Sequence, residues 1–578
     1  MKKKRFRWLV ALACASVLLP SSFNAPVQAV SFPVKSTTTR PVKTGGTLRT
    51  GIVSEAPFKG ALAAELSIDG AISNILEFTN TGLFNMDKNY QFTKGGLAAV
   101  TFDEKNKTAT VKISPQAKWS DGQPVTSRDL AFSYEVIAHK ESGSVSYGEA
   151  LTEIEGIADY HAGNAPKISG LEEKDPHTLI VHYKAMHPAM RFVGAGYLWT
   201  TALPYHYLKD IPMSKLAASD ELRKKPLSYG PFTVKKIVPG ESIEYVANKY
   251  YVKKPKLAKL TVEVVSTAQA ATALKAKKFE MLLSEPAGVY AKVKELKDFT
   301  VLGKKELYYS YLGFKVGHVN KAGVSEMTKG AAVGDRTLRQ AMAYAMNVDQ
   351  VSKKFGQGLS YRATTIVPDA FDKYHDSKAK GYPYNMKKAN ALLDQAGYKR
   401  QKNGYRTRPN GKDLTLRLLV YNSSKDTEAT VENYIQQWKK LGVRVKLVNG
   451  RFQDYHTVTE KVLNDSHDFD MWMLAWSVSP EPTAHAVSYL PNAPYNFGHF
   501  VTKENTALID SFTKSAKAFD QKYLLQQFYK WQEYMDKEAF IVPLQNTHAT
   551  IPVAKNVEGV TLENGKDYYV WSEVGFAK

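Results

Sequence analysis

The chain has one cysteine in 578 residues, Cys14, and it stands inside an apolar N-terminal run. Once that run is removed as a leader, the remaining chain has no disulfide and no thiolate chemistry. Compact catalytic signatures are missing too. There is no G-x-S-x-G, no G-x-x-x-x-G-K-[ST] and no H-E-x-x-H, so a hydrolase elbow, a phosphate loop and a zincin helix of those types are excluded. The 13 histidines are scattered, and no two have the i,i+4 spacing that places two imidazoles on one helix face. His177, His182 and His187 are the densest group, but odd spacing on a strand alternates faces. No metal and no other cofactor is expected. Apolar runs of about 20 residues, the length that spans a bilayer, are also missing.

What is present begins with an export leader. Lys2, Lys3, Lys4, Arg5 and Arg7 precede an apolar run at 8–19, and Val27-Gln28-Ala29 fits the small-x-small cleavage rule. Ala11-Leu12-Ala13-Cys14 loosely resembles a lipid-anchor box. The apolar run continues past it to Leu19, so Cys14 reads as part of a cleaved signal. The formal net charge is +22. Export argues against nucleic acid as the counterpart. Anionic wall polymer or a membrane face is the natural alternative, weighed against a solvated surface with no partner. Hydrophobic residues at 43% and charged residues at 23% suit a folded protein, and the length implies two to four domains.

Residues 30–44 are rich in Ser, Thr, Pro and Lys, which predicts a flexible tether. No internal repeat is found. Segments 98–102 and 108–113 flank a polar turn cluster and predict a hairpin. Thr126 and Asp129 have capping-box spacing and open a helix to about His139. A second hairpin turns at Pro239-Gly240. Strand, helix and short apolar run at 257–265, 267–278 and 279–283 imply a parallel βαβ unit. Strands at 414–421, 443–448 and 469–476, with helices at 427–441 and 452–463, form a second such region. Two regions of this kind imply an α/β fold with two lobes, each with its own sheet, and a ligand crevice between them.

The run Lys118-Trp119-Ser120-Asp121-Gly122-Gln123-Pro124-Val125-Thr126-Ser127-Arg128-Asp129 resembles the W-x-D-G-x-P-[VF]-T-x-x-D signature of the bacterial solute-binding proteins of the peptide/nickel family. Its residues have turn and cap roles, so it reads as framework rather than ligand site. Ser228-Tyr229-Gly230-Pro231-Phe232 resembles the family's G-T-G-P-[FY], with two positions changed. Arg339-Gln340-Ala341-Met342 resembles V-R-Q-A-[LI]. Ala389, Leu392, Leu393, Ala396 and Gly397 resemble A-x-x-L-L-x-x-A-G. Asp470-Met471 followed by Trp476 resembles the F-D-[MV] strand and its tryptophan. Five markers in the family's order cover nearly the whole mature chain. The nearest members are oligopeptide-binding proteins of Gram-positive bacteria, especially lactic acid bacteria.

That resemblance implies a two-lobed periplasmic-binding-protein-like fold with parallel-sheet lobes and an inserted third small domain. The expected division is a signal peptide at 1–29, the tether at 30–44, domain I at 45–84, 205–303 and 543–578, domain II at 85–204, and domain III at 304–542. Chain crossings near 307–314 and 540–545 would be the hinge. The implied function is not enzymatic. It is capture of oligopeptides outside the cell, by hinge closure of a monomer, and delivery to the permease subunits of an ABC importer. The alternatives are another solute, such as an oligosaccharide or a metal chelate, or a basic wall-associated adhesin.

In relatives that hold short peptides, an acid shortly after the tryptophan strand clamps the peptide's α-amine. Here Ser479 occupies that position and Glu481 follows two residues later. Either Glu481 substitutes with a shifted loop, or the peptide's N-terminus is not clamped and longer peptides fit. The candidate peptide-binding residues are Trp476, Ser479 and Glu481, then Asn496 and Phe497, and Glu55 after the first strand. The 33 tyrosines and 8 tryptophans suit a site that must hold varied peptides, because such rings are stiff and amphipathic.

Overall fold

The computed structural model describes residues 31–578 except 37–39, 68–69, 81, 285–286, 423–424 and 566–567. The leader reading, including Cys14 and the cleavage site at 27–29, lies outside the described residues. Among the described residues no helix is long and apolar enough to cross a membrane.

The strand Thr47–Val53 buries consecutive residues Thr50, Gly51 and Ile52, the pattern of a strand covered on both faces. It lies between Lys259–Val265 and Met281–Leu282 and is parallel to both. Helix Thr267–Lys275 makes the crossover that a parallel pair requires. The hairpin Phe232–Val238 and Ser242–Ala247 extends the sheet antiparallel to Lys259–Val265. Gly240 at its turn has φ 76°, a conformation that costs glycine no steric strain. In the other lobe Thr415–Leu419 is parallel to Arg444–Leu447 and to Met471–Ser477. Helices Lys425–Leu441 and Tyr455–Leu463 complete these units.

Separate sheets for the two lobes are not what forms. Strands Phe299–Phe314 and Ile541–Ala554 are 16 and 14 residues long, about 50 Å at the usual rise. They run antiparallel through both lobes and join them in one eleven-stranded mixed sheet. Their ladder is interrupted between Lys305 and Tyr309 and again between Ser310 and Tyr311. Such breaks remove ladder hydrogen bonds and increase local twist.

The smaller sheet is antiparallel, with order Ala98–Asp103, Thr108–Ile113, Thr178–His182, Leu171–Asp175. Helix Ser127–Ala138 carries the full capping box of Thr126 and Asp129. The Asp129 carboxylate also accepts from Trp119 Nε1 at 3.2 Å and from the Tyr205 amide at 2.8 Å. Trp119 and Asp129 are both buried, so the signature ties the small domain to the chain that leaves it.

The tether reading is corrected over its described residues. Val42–Lys43 pairs with the terminal strand Gly575–Ala577, and the Ser36 amide donates to the Val560 carbonyl at 2.8 Å. Phe32 packs against Tyr290 and His548. A polar composition therefore coexists with backbone anchoring that the composition does not report.

Candidate ligand-binding site

Strand Phe299–Phe314 pairs with Met471–Ser477 so that Tyr309 stands opposite Trp476, Tyr311 opposite Leu474 and Gly313 opposite Trp472. Opposed residues share a face and touch. A Cβ on Gly313 would come within 2.3 Å of the Trp472 indole, so the missing side chain makes room for that ring.

Trp476 is held from several sides. The His485 ring meets its indole edge-on at 5.3 Å. Tyr495 does the same at 5.3 Å, and Phe497 lies nearly parallel at 6.1 Å. His485 Nε2 is hydrogen-bonded with Tyr309 OH and lies 3.0 Å from Tyr489 OH, and the two phenols are 3.0 Å apart. Desolvation pushes the His485 imidazole down to about 3. The ring is therefore neutral at physiological pH, and the three polar groups satisfy one another without a charge.

In front of Trp476 lies a cavity of about 470 Å³, walled also by Tyr308, Tyr311, Tyr421, Tyr455, Tyr495 and Phe497. A second compartment of about 330 Å³ adjoins it across Tyr308, Tyr311, Tyr421, Leu474 and Ala475, and reaches Val351, Phe355 and Tyr434. Among the described lining residues of both compartments there is no Lys, Arg or His, and Asp426 is the one charged group. Burial pushes the Tyr308 phenol up to about 12. Apart from Asp426 the walls are thus uncharged and largely aromatic, able to pack side chains and to donate or accept a few hydrogen bonds.

Part of the 85–204 segment closes against this lobe. Tyr90 packs on Phe371 at 5.9 Å and Phe192 on Tyr374 at 5.5 Å, and both belong to the core cluster of the larger lobe. The Tyr374 hydroxyl accepts from Gln91 Nε2 and from Gln521 Nε2, each at 3.0 Å. Arg191 Nη2 donates to the Phe519 carbonyl at 3.0 Å, and Lys88 pairs with Asp372. A Cβ on Gly194 would come within 2.4 Å of Pro480 Cδ.

Glu481 sits beside that seam and is 1% exposed. Its Oε1 accepts from the Thr483 amide at 2.8 Å and from Thr483 Oγ1 at 2.6 Å, while Oε2 has no partner. Burial drives its carboxyl up to about 7, against the opposing effect of the Thr483 bonds and of the Ala484 amide. Its charge is felt by Tyr197 on one side of the seam and Tyr374 on the other.

The sequence candidates therefore separate. Trp476 and Phe497 come together on the aromatic wall. Ser479 is exposed in the following loop, and neither Ser479 nor Glu481 lines the two compartments. Asn496 is buried, with Nδ2 donating to the Leu490 and Phe500 carbonyls and Oδ1 accepting from the Phe500 amide. It pins its own loop. Glu55 accepts from the Thr267 amide at 2.9 Å, at the first turn of helix Thr267–Lys275, and borders a different recess with Glu263 and Lys278.

Sequence reasoning misses Tyr308, Tyr421 and Tyr455. The run Leu307-Tyr308-Tyr309-Ser310-Tyr311 holds the one usable signal. Tyrosines on successive positions of a strand point to opposite faces, so they cannot all belong to one core. Among the described residues no group of three or more His, Cys, Asp or Glu is placed to hold a metal ion.

Comparison with known proteins bears on this geometry. Residues 93–497 match the family profile described as Bacterial extracellular solute-binding proteins, family 5 Middle. The oligopeptide-binding protein OppA of Lactococcus lactis subsp. cremoris strain SK11 is 38% identical over 533 residues, covering 90% of this chain and 88% of that protein. The structure of lactococcal OppA complexed with an endogenous peptide in the closed conformation superposes with a TM-score of 0.74 at 37% identity, covering 92% of this chain and all of that one. AppA from Bacillus subtilis in complex with a nonapeptide matches with a TM-score of 0.65 at 21% identity, over 93% of this chain and all of that one. This last likeness is one of fold.

Proposed function

The chain belongs to family 5 of the bacterial extracellular solute-binding proteins, and from that premise we propose that it captures oligopeptides for an ABC importer. The observation that carries this reading is the 38% identity to a lactococcal oligopeptide-binding protein, spread over 90% of the chain. The aromatic double compartment beside a lobe seam is the geometry such a task needs. An extended peptide offers the same backbone groups whatever its sequence. Strand edges can pair with those groups, while roomy pockets accept varied side chains.

The chain acts as a binding component with no catalytic step. We further propose the division into domain I (45–84, 205–303 and 543–578), domain II (85–204) and domain III (304–542). The separate antiparallel sheet within 98–182 supports the second of these. The interrupted ladder near Lys305–Tyr311 supports a hinge there, because backbone short of ladder bonds bends at lower cost. Closure brings Tyr90 and Phe192 onto the larger lobe, and the closed form is what membrane permease subunits would receive. The peptide's α-amine is not clamped by Glu481 in this reading, since that carboxyl does not line the compartments. Peptides with free ends and varied length would then fit. The protein works as a monomer at the outer face of the membrane. Anionic wall polymer would be held through the spread of basic side chains and released by salt.

Native mass spectrometry of the purified protein tests the proposal. The expected result is a set of adducts of mixed mass that unfolding releases as peptides. Recovery of a single sugar or a metal chelate instead would overturn it.

A further inference from the structure

We propose that the aromatic compartment in front of Trp476 is a receptacle for a cationic side chain, and that peptides presenting Lys or Arg there are held in preference to apolar isosteres. The inference rests on the peptide-capture reading and narrows its substrate class.

The first support is the arrangement of rings. Tyr495 stands at 79° to Trp476 and 88° to Phe497, so the wall turns a corner. Aromatic faces carry the negative part of the ring quadrupole and attract a cation placed over them, tryptophan most strongly. Tyr455 and Tyr495, at the mouth, are about half exposed. They remain wet until a ligand covers them, so a bound side chain gains contact with surfaces that no protein group occupies.

Charge gives the second support, and it is independent of the first. Lys and Arg number 78 among 578 residues, yet none of the described lining residues of either compartment is basic. Two acids and one base stand at the edges instead; the base, Lys354, lies over the ring of the lining residue Phe355 at 5.1 Å. Asp426 lines the adjoining compartment. Glu306 acts electrostatically on Tyr308 and accepts a hydrogen bond from Thr547, a lining residue of the same compartment. In a chain of formal charge +22, the general field repels a cation. A compartment whose own described lining holds no base, with Asp426 exposed at the edge of the adjoining one, is less hostile to a cation than the surrounding surface. An apolar guest needs no such arrangement. An acidic guest would find no base among the described lining residues to pair with.

The test uses three alanine nonapeptides whose central residue is Lys, norleucine or Glu, titrated calorimetrically against protein freed of its endogenous load. Such peptides can slide, so the compartment selects the residue it holds. The expected order is Lys tighter than norleucine by about fivefold, the gain typical of a partly desolvated cation over rings, with Glu weakest. The gap between Lys and norleucine should shrink in Trp476→Leu and in Asp426→Asn, each first checked for an unchanged melting curve. Norleucine binding as tightly as Lys in the unmodified protein overturns this proposal alone and leaves an apolar receptacle. A preserved gap in both variants also overturns it. Failure of all three peptides to bind, together with native spectra free of peptide, overturns the capture reading and this inference with it.

Discussion

The wall behind Trp476 and the seam beside Glu481 belong to the same short stretch of chain, yet they are built on opposite terms. On the wall, His485, Tyr309 and Tyr489 close a ring of mutual hydrogen bonds, and the imidazole is kept neutral by burial. Nothing there depends on the other lobe. At the seam, Pro480 abuts Gly194 and one oxygen of a fully buried carboxyl goes without a partner. A buried unpaired carboxylate is expensive, and opening the seam would relieve that cost by letting water reach it. The difference assigns the two regions separate tasks. The expected consequence is a wall that keeps one shape with the lobes open or shut, and a seam that exists only when they are shut.

The sharpest way to break this division is Trp476→Ala. If the wall is a preformed site, the variant loses an aromatic anchor of about 2 kcal/mol or more. Peptide affinity should fall about 30-fold or more in calorimetry, with little change in melting temperature. A collapsed melting curve would make Trp476 core rather than wall. Gly194→Ala attacks the seam alone. Its new Cβ would meet Pro480 Cδ at 2.4 Å, so the lobes can dock only with displacement. Affinity should fall about tenfold, a typical cost of overpacking a contact by one methyl group. Small-angle scattering of the peptide-saturated variant should keep the radius of gyration of the open protein. A normal closed radius would show that the seam yields.

How far the sequence reveals these regions depends on the physics of each. The parallel units around Thr47–Val53 and Thr415–Leu419 are legible because apolar runs and helix caps are local. The capping box at Thr126 and Asp129 appears with both of its bonds. The joining of the lobes into one sheet is not legible, because nothing local in Phe299–Phe314 says that Ile541–Ala554 pairs with it along its length. The site divides in the same way. Trp476 is found through its place in a marked strand, and Phe497 through its neighbouring loop. Tyr308, Tyr421 and Tyr455 look like ordinary strand and helix residues until the fold gathers them. Asn496 and Glu55 are polar residues in loops, where capping and ligand binding leave the same trace in sequence. The structure gives Asn496 to its own loop and Glu55 to a helix start.

A pH series sharpens the comparison further. Burial lifts the Glu481 carboxyl from the ordinary carboxylate range to about 7, so between those limits the closed form holds a proton that the open form has released. Closure is then favoured at low pH and loses that advantage as pH climbs through about 7. Peptide affinity should weaken about tenfold or more from pH 5 to pH 8, the order of effect expected from a shift of that size. Glu481→Gln should flatten the profile at the tighter level. The wall contributes no slope of its own here, because His485 stays neutral throughout. A profile that remains steep in Glu481→Gln would move the titrating group elsewhere and remove the contrast between seam and wall.

The smallest effect is expected at Glu55, and it sets the edge of the site. Its carboxylate accepts from the Thr267 amide, where a negative group also suits the helix dipole. Glu55→Ala should therefore lower the melting temperature slightly and change peptide affinity by less than about twofold, the outcome for a cap with no ligand contact. A loss approaching that of Trp476→Ala, with the melting curve unchanged, would mean that the peptide reaches from the aromatic wall across to the first lobe. The rigid surface would then belong to both lobes, and the seam would serve to align two halves of one site rather than to cover a site already complete.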